Sequence, residues 1–146
     1  MAPQSLDIYV AFAPPRQRDG LPFAHWMLLV AISGSNDCTR YHTICSGPPS
    51  LYAGNYSVEI QDYRLDGLGT SSKELVGRIR EKDWDKVDKS ARRIPVQNCQ
   101  KWVCALLEDL ERKGLITEGT GRKYYARTEP GVMQACGMVA QKCTVL

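Results

Sequence analysis

Apolar and polar positions follow two different periods along this chain. Leu6, Ile8, Val10 and Phe12 alternate with other residues, a period of two that predicts a strand with those four side chains on one face. Ala13 to Gly20 carries two prolines and three charged residues and predicts a loop. Phe23 to Ile32 is rich in bulky apolar residues and predicts a central strand. Ser33-Gly34-Ser35-Asn36-Asp37 is turn chemistry, so Cys38 to Cys45 returns as the second arm of a β-hairpin. Gly47-Pro48-Pro49-Ser50 interrupts the pattern, and Asn55 to Leu65, with Tyr56, Val58 and Ile60, predicts a further antiparallel strand.

Helical signals follow. Ser71 with Glu74 reads as a capping box, and Leu75, Val76 and Ile79 extend a helix from Ser72 to Lys82. Trp84 to Ser90 fits a short helix or a loop, and Pro95 punctuates. Asn98 is a good N-cap. Behind it Trp102, Val103, Leu106, Leu107 and Leu110 form the apolar stripe of an amphipathic helix, with Gly114 as its C′ stop. Leu115–Thr117 and Lys123–Thr128 predict short strands around the turn from Glu118 to Gly121, and from Glu129 onward the pattern fits a frayed helix or a tail. Strands first and helices afterwards, without regular alternation, predict an α+β domain: an antiparallel sheet packed against helices.

A length of 146 residues fits one such domain, and 43% apolar with 24% charged residues is a globular mixture. The longest apolar run, Trp26 to Ile32, is a strand's length, far short of the ~18 residues a membrane helix needs. No basic, then apolar, export leader is read at the N-terminus, so a cytoplasmic protein is expected. A net charge of +3 is too mild for a nucleic-acid partner, and Arg92-Arg93 and Arg122-Lys123 read as solvated edges.

The six cysteines form no regular framework, and without an export signal they are expected as free thiols. Cys99 differs from the others because it directly follows the Asn98 cap. A sulfur in the first turn of a helix faces unpaired N–H groups and the positive end of the macrodipole, which favour thiolate and could hold an oxyanion. Cys104 lies further along the same helix and is expected to pack. Cys38 and Cys45 flank a strand, and Cys136 and Cys143 fall in the tail. A thiol nucleophile needs a base with an orienting partner. The chain has two histidines, His25 and His42, on the two arms of one predicted hairpin, where neighbouring arms can bring side chains together. Each is also acceptable as an ordinary strand residue.

His25-Trp26 opening the strand His-Trp-Met-Leu-Leu-Val, the second histidine in Tyr41-His42, and Asn98-Cys99-Gln100-Lys101-Trp102-Val103 opening a helix resemble the lecithin:retinol acyltransferase group. That group belongs to the NlpC-type, circularly permuted branch of papain-like enzymes, with histidine ahead of cysteine. The resemblance spans about residues 23 to 114. It implies a permuted papain-like fold with Cys99 as nucleophile, His25 as general base and His42 as the group orienting His25. The family's Glu-His after the cysteine is Gln100-Lys101 here, and its membrane-inserting C-terminal segment has no counterpart. The implied chemistry is acyl transfer or hydrolysis of an ester, thioester or amide, lipid or otherwise, through a thioester intermediate and without metal or cofactor. The alternatives are an (iso)peptidase or amidase of the same fold, and a binding module that keeps the fold without the chemistry.

Two further motifs compete for attention. Cys38-x-x-x-His42-x-x-Cys45 offers three soft ligands, but a strand turns Cys45 away from the other two and zinc wants a fourth. Cys143-Thr144-Val145-Leu146 fits a C-a-a-X signal, which would place a geranylgeranyl group on Cys143 and give weak membrane association. Ser46 to Gly54 is expected as a loop shaping the cleft.

Overall fold

The computed structural model describes residues 4–18, 21–45 and 56–129. The tail cysteines Cys136 and Cys143, the C-a-a-X signal and the 46–54 loop lie outside them. Within those residues the chain forms strands β1 (Ser5–Phe12), β2 (Arg16–Arg18), β3 (Leu21–Phe23), β4 (Trp26–Ile32), β5 (Asp37–Cys45), β6 (Tyr56–Arg64) and β7 (Ser72–Arg80). Helices α1 (Trp84–Arg93), α2 (Cys99–Arg112) and α3 (Thr120–Tyr125) follow. The main sheet is antiparallel in the order β6-β5-β4-β1-β7, and β2 pairs with β3 in a small separate hairpin. The α+β expectation holds at this level: a five-stranded sheet followed by helices packed on it.

Strand alternation decides which side chains meet the helices. Leu6, Ile8 and Val10 of β1, Leu28 and Val30 of β4 and Tyr41 of β5 share one buried cluster with Val87 and Ala91 of α1 and the α2 stripe. The opposite face carries a smaller cluster of Ala11, Met27, Leu29, Ala31 and Cys38. β4 is therefore covered on both faces, and this is why its sequence is a continuous apolar run rather than an alternating one. On α2, Trp102, Val103, Leu106, Leu107 and Leu110 are all fully buried. Asn98 caps this helix by accepting the Lys101 amide at 3.0 Å, and Gly114 ends it with φ +73°.

Several expectations are corrected, among them the loop from Ala13 to Gly20, where Arg16–Arg18 form β2. The segment from Ser72 is not a helix but the edge strand β7, paired with β1. Glu74 does not complete a capping box: its carboxylate accepts Tyr124 Oη at 2.6 Å and Arg127 Nη1 at 2.7 Å, tying β7 to the end of α3. A bulge opposite Ile8 and Tyr9 inserts one extra residue into β7, which breaks the period-two pattern and leaves helix-like spacing behind. Residues 115–117 form no strand, and 123–125 belong to α3. The Glu111 carboxylate accepts the Gly119 and Gly121 amides at 2.6 Å each, turning the expected hairpin turn into the start of that short helix. Trp84, given as helix or loop, opens α1, a helix that runs on to Arg93.

Candidate functional site

Cys99 is the first residue of α2, as expected from its cap. Its sulfur lies within hydrogen-bonding reach of the Trp26 backbone amide, next in sequence to His25, as well as of the Gln100 amide and its own. The start of α2 is thus set against the start of β4. Gln100 fixes this junction. It is fully buried, and its Nε2 donates to the Ala24 carbonyl at 2.9 Å and to Glu129 Oε1 at 3.0 Å. Its Oε1 accepts the Glu129 amide at 2.7 Å. The residue that departs from the acyltransferase pattern therefore clamps the peptide just before His25 to the helix that carries Cys99.

The two histidines meet. His25 Nε2 and His42 Nδ1 are 2.7 Å apart, with ring centroids 5.0 Å apart and planes at 72°. His25 is half-buried and His42 buried. Tyr41 and Thr43 face the helices: the Tyr41 hydroxyl accepts from Trp84 Nε1 at 2.9 Å, and Thr43 Oγ1 donates to the Gln97 carbonyl at 3.0 Å. His42, between them, alternates to the other face. There its direct partner on β6 is Glu59, whose Oε1 lies 3.0 Å from His42 Nε2. Burial holds the His42 pKa below its usual value, the Arg40 charge adds to this, and Glu59 opposes both.

Glu59, Glu129 and the bridging role of Gln100 are what the sequence reading missed. Glu59 could have been placed opposite His42 only if the β5–β6 register were known, and alternation within each strand does not give it. Glu129 comes in from beyond α3, a contact far apart in sequence with no local signature.

One electrostatic expectation is reversed. The helix-start amides of Gln100 and Cys99 and the Trp26 amide do favour thiolate, but burial outweighs them and the Glu129 carboxylate adds to it, pushing the Cys99 thiol up to about 11. Burial likewise pushes Cys38 up to about 11 and Cys104 up to about 12. Cys104 is buried in the core, as expected. Among the described residues no group of three His, Cys, Asp or Glu side chains is placed to hold a metal, the Cys38, His42 and Cys45 set included. Nor is any helix among them long and apolar enough to cross a membrane. Comparison with protein-family models, curated proteins and solved structures finds no match to this chain.

Proposed function

We propose that the protein is a cysteine-dependent acyl-transfer enzyme of permuted papain-like organisation, with Cys99 as nucleophile, His25 as general base and His42 orienting His25. The observation that carries this reading is the 2.7 Å His25–His42 contact beside a helix-initiating cysteine whose sulfur reaches the Trp26 amide. Because His25 uses Nε2 towards His42, Nδ1 is the ring atom for the thiol proton.

The steps follow from these groups. With its pKa raised, Cys99 rests as a thiol, so His25 Nδ1 takes the S–H proton as the sulfur attacks an ester, thioester or amide carbonyl. The carbonyl oxygen becomes an oxyanion, which helix-start N–H groups can stabilise. Collapse breaks the bond to the leaving group, which departs with the proton from His25 and leaves a thioester on Cys99. Water, or an acceptor amine or alcohol, then gives its proton to His25 and attacks the thioester, and that proton returns to the sulfur. No metal enters any of these steps.

The test is acylation by p-nitrophenyl acetate. The expected result is release of p-nitrophenol with one acetyl group mapped to the Cys99 peptide, lost in Cys99→Ala and slowed about 100-fold or more in His25→Ala. Acetyl groups spread evenly over the cysteines, at a rate indifferent to His25, would sink the proposal. The raised Cys99 thiol is also what favours the second reading, a module that binds through this fold without turning over. A wild-type protein that p-nitrophenyl acetate leaves unmodified selects that reading.

A further inference from the structure

We infer that Glu59 is a positioning residue of this site: its carboxylate accepts the His42 Nε2 proton, which makes His42 Nδ1 the acceptor for His25 Nε2–H and puts the second lone pair of the His25 ring at Nδ1. This role rests on the reading of Cys99 and His25 as nucleophile and base, but the proton arrangement it specifies does not depend on any reaction.

The argument is a count of protons along a chain of contacts. A carboxylate can only accept, so across the 3.0 Å contact His42 Nε2 must donate. A neutral imidazole carries one N–H, so His42 Nδ1 then holds a lone pair. Across 2.7 Å that lone pair can only accept, so His25 Nε2 carries the hydrogen and His25 Nδ1 does not. The charged end of the relay therefore selects the tautomer two rings away, and that tautomer can accept a proton at Nδ1. When His25 takes it and becomes imidazolium, its Nε2–H still points at His42, and the Glu59 charge stabilises the cation through that ring.

The groups facing His42 agree with this assignment. From β6 come Glu59 and Gln61, from the segment ahead of β4 comes His25, and from β5 itself comes Arg40. Arg40 is turned to Gln61, its Nε donating to Gln61 Oε1 at 3.1 Å, and it stacks on the Tyr63 ring with its guanidinium carbon 4.3 Å from the ring centre. Glu59 is thus the one anionic acceptor among them. Burial of His42 favours its neutral form, in which the single-proton count applies. Remove the carboxylate and nothing prevents His42 from holding its proton on Nδ1. It would then donate to His25 Nε2 and force the His25 proton onto Nδ1, the position where a base is needed.

The presence of two histidines makes the experiment direct. In protein labelled with 15N in its imidazole rings, the wild type is expected to show two Nε2–H tautomers above the titration range of the rings. In Glu59→Leu, His42 is expected to gain Nδ1–H population, and Cys99 acetylation by p-nitrophenyl acetate at neutral pH to fall about tenfold to a hundredfold. Glu59→Gln keeps the size of the side chain and serves where Glu59→Leu does not fold. Losing the charge there should move the acid limb of the acetylation pH profile to lower pH, because the His25 imidazolium is less stabilised. A wild-type His42 protonated on Nδ1 overturns the inference. So does a Glu59→Gln protein whose ring tautomers and pH limb match the wild type. A wild type with the expected tautomers but an inert Cys99 would instead remove the enzymatic reading and leave the proton arrangement standing.

Discussion

Gln100 can hold three partners because an amide both donates and accepts. It supplies hydrogen to a carbonyl and a carboxylate, and takes one from a backbone amide. A glutamate of the same length can do only the last of these. Gln100→Glu would leave the Ala24 carbonyl facing an oxygen and set a second carboxylate against Glu129 in a buried position. The expected cost is about 2 to 4 kcal/mol of folding stability, from a buried acceptor left unsatisfied and a charge without a partner. Urea unfolding monitored by tryptophan fluorescence would measure it. Stability equal to the parent would mean that the clamp between Ala24 and Glu129 carries no weight. The same substitution adds negative charge beside Cys99, so the thiol should become harder to ionise still.

Among the elements, β7 depends on a close approach that a single residue permits. Gly77 pairs with Ile8 just past the bulge, and a Cβ there would lie 2.7 Å from Ile116 Cγ2 and 3.8 Å from the Leu115 carbonyl oxygen. The loop after α2 can cross β7 because no side chain stands at this position. Gly77→Ala should therefore destabilise by about 1 to 3 kcal/mol through overpacking. Adding Ile116→Ala should return part of that loss, a coupling that a double-mutant cycle reads directly. Additive losses would place the strain elsewhere. This crossing also shows where sequence reading stops. The strand β1 and the helix α2 were legible because their bulky apolar residues all meet one cluster, which local spacing records. The placement of Cys99 at a helix start and the contact between the two histidines were legible because position relative to a cap or a hairpin is recorded locally. β7 was not, because its bulge and its glycine answer to β1 and to Ile116, and both lie far away in sequence. The Glu59–His42 pair was hidden for a related reason: alternation gives each strand two faces, but only the pairing register says which residues stand opposite one another. The raised thiol of Cys99 escaped because the cap is local, while the packing that raises it, though it leaves the residue half-buried, comes from the whole fold.

At the scale of the molecule, the same burial makes stability a function of pH on both sides of neutrality. Asp109 joins α1 to α2: it accepts from Ser90 Oγ at 2.5 Å, from Arg93 Nη2 at 2.6 and 2.7 Å and from Arg112 Nη2 at 3.1 Å, with only 3% of the residue exposed. Burial works to raise its carboxyl, but Ser90, Arg93 and Arg112 outweigh it and bring the pKa from 3.8 down to about 2. Arg127 and Tyr124 likewise bring Glu74 from 4.5 down to about 2. A carboxyl lowered in the folded state stabilises it above the unfolded pKa, and that contribution is lost as pH falls towards the folded value. For Asp109 the amount is about 2 kcal/mol, lost between about pH 4 and about pH 2. His42 acts earlier on the same limb. Its folded pKa is lowered, so below the ordinary value of 6.5 the unfolded chain binds a proton more readily than the native protein does. On the alkaline side the raised thiols of Cys38, Cys99 and Cys104 stabilise the fold below about 9, and lose that effect as pH rises through about 11 to 12. Thermal melts across pH should therefore show a plateau near pH 7 to 8, a first decline starting near 6.5, a steeper one below about 4.5 and an alkaline decline above about 9. His42→Gln should remove the first acid step and spare the second, whereas Asp109→Asn should lower the plateau and flatten the second. A first acid step that survives His42→Gln would mean that His42 carries no linked proton. In that case the buried neutral ring that the proposed orientation of His25 requires is not the state the protein adopts.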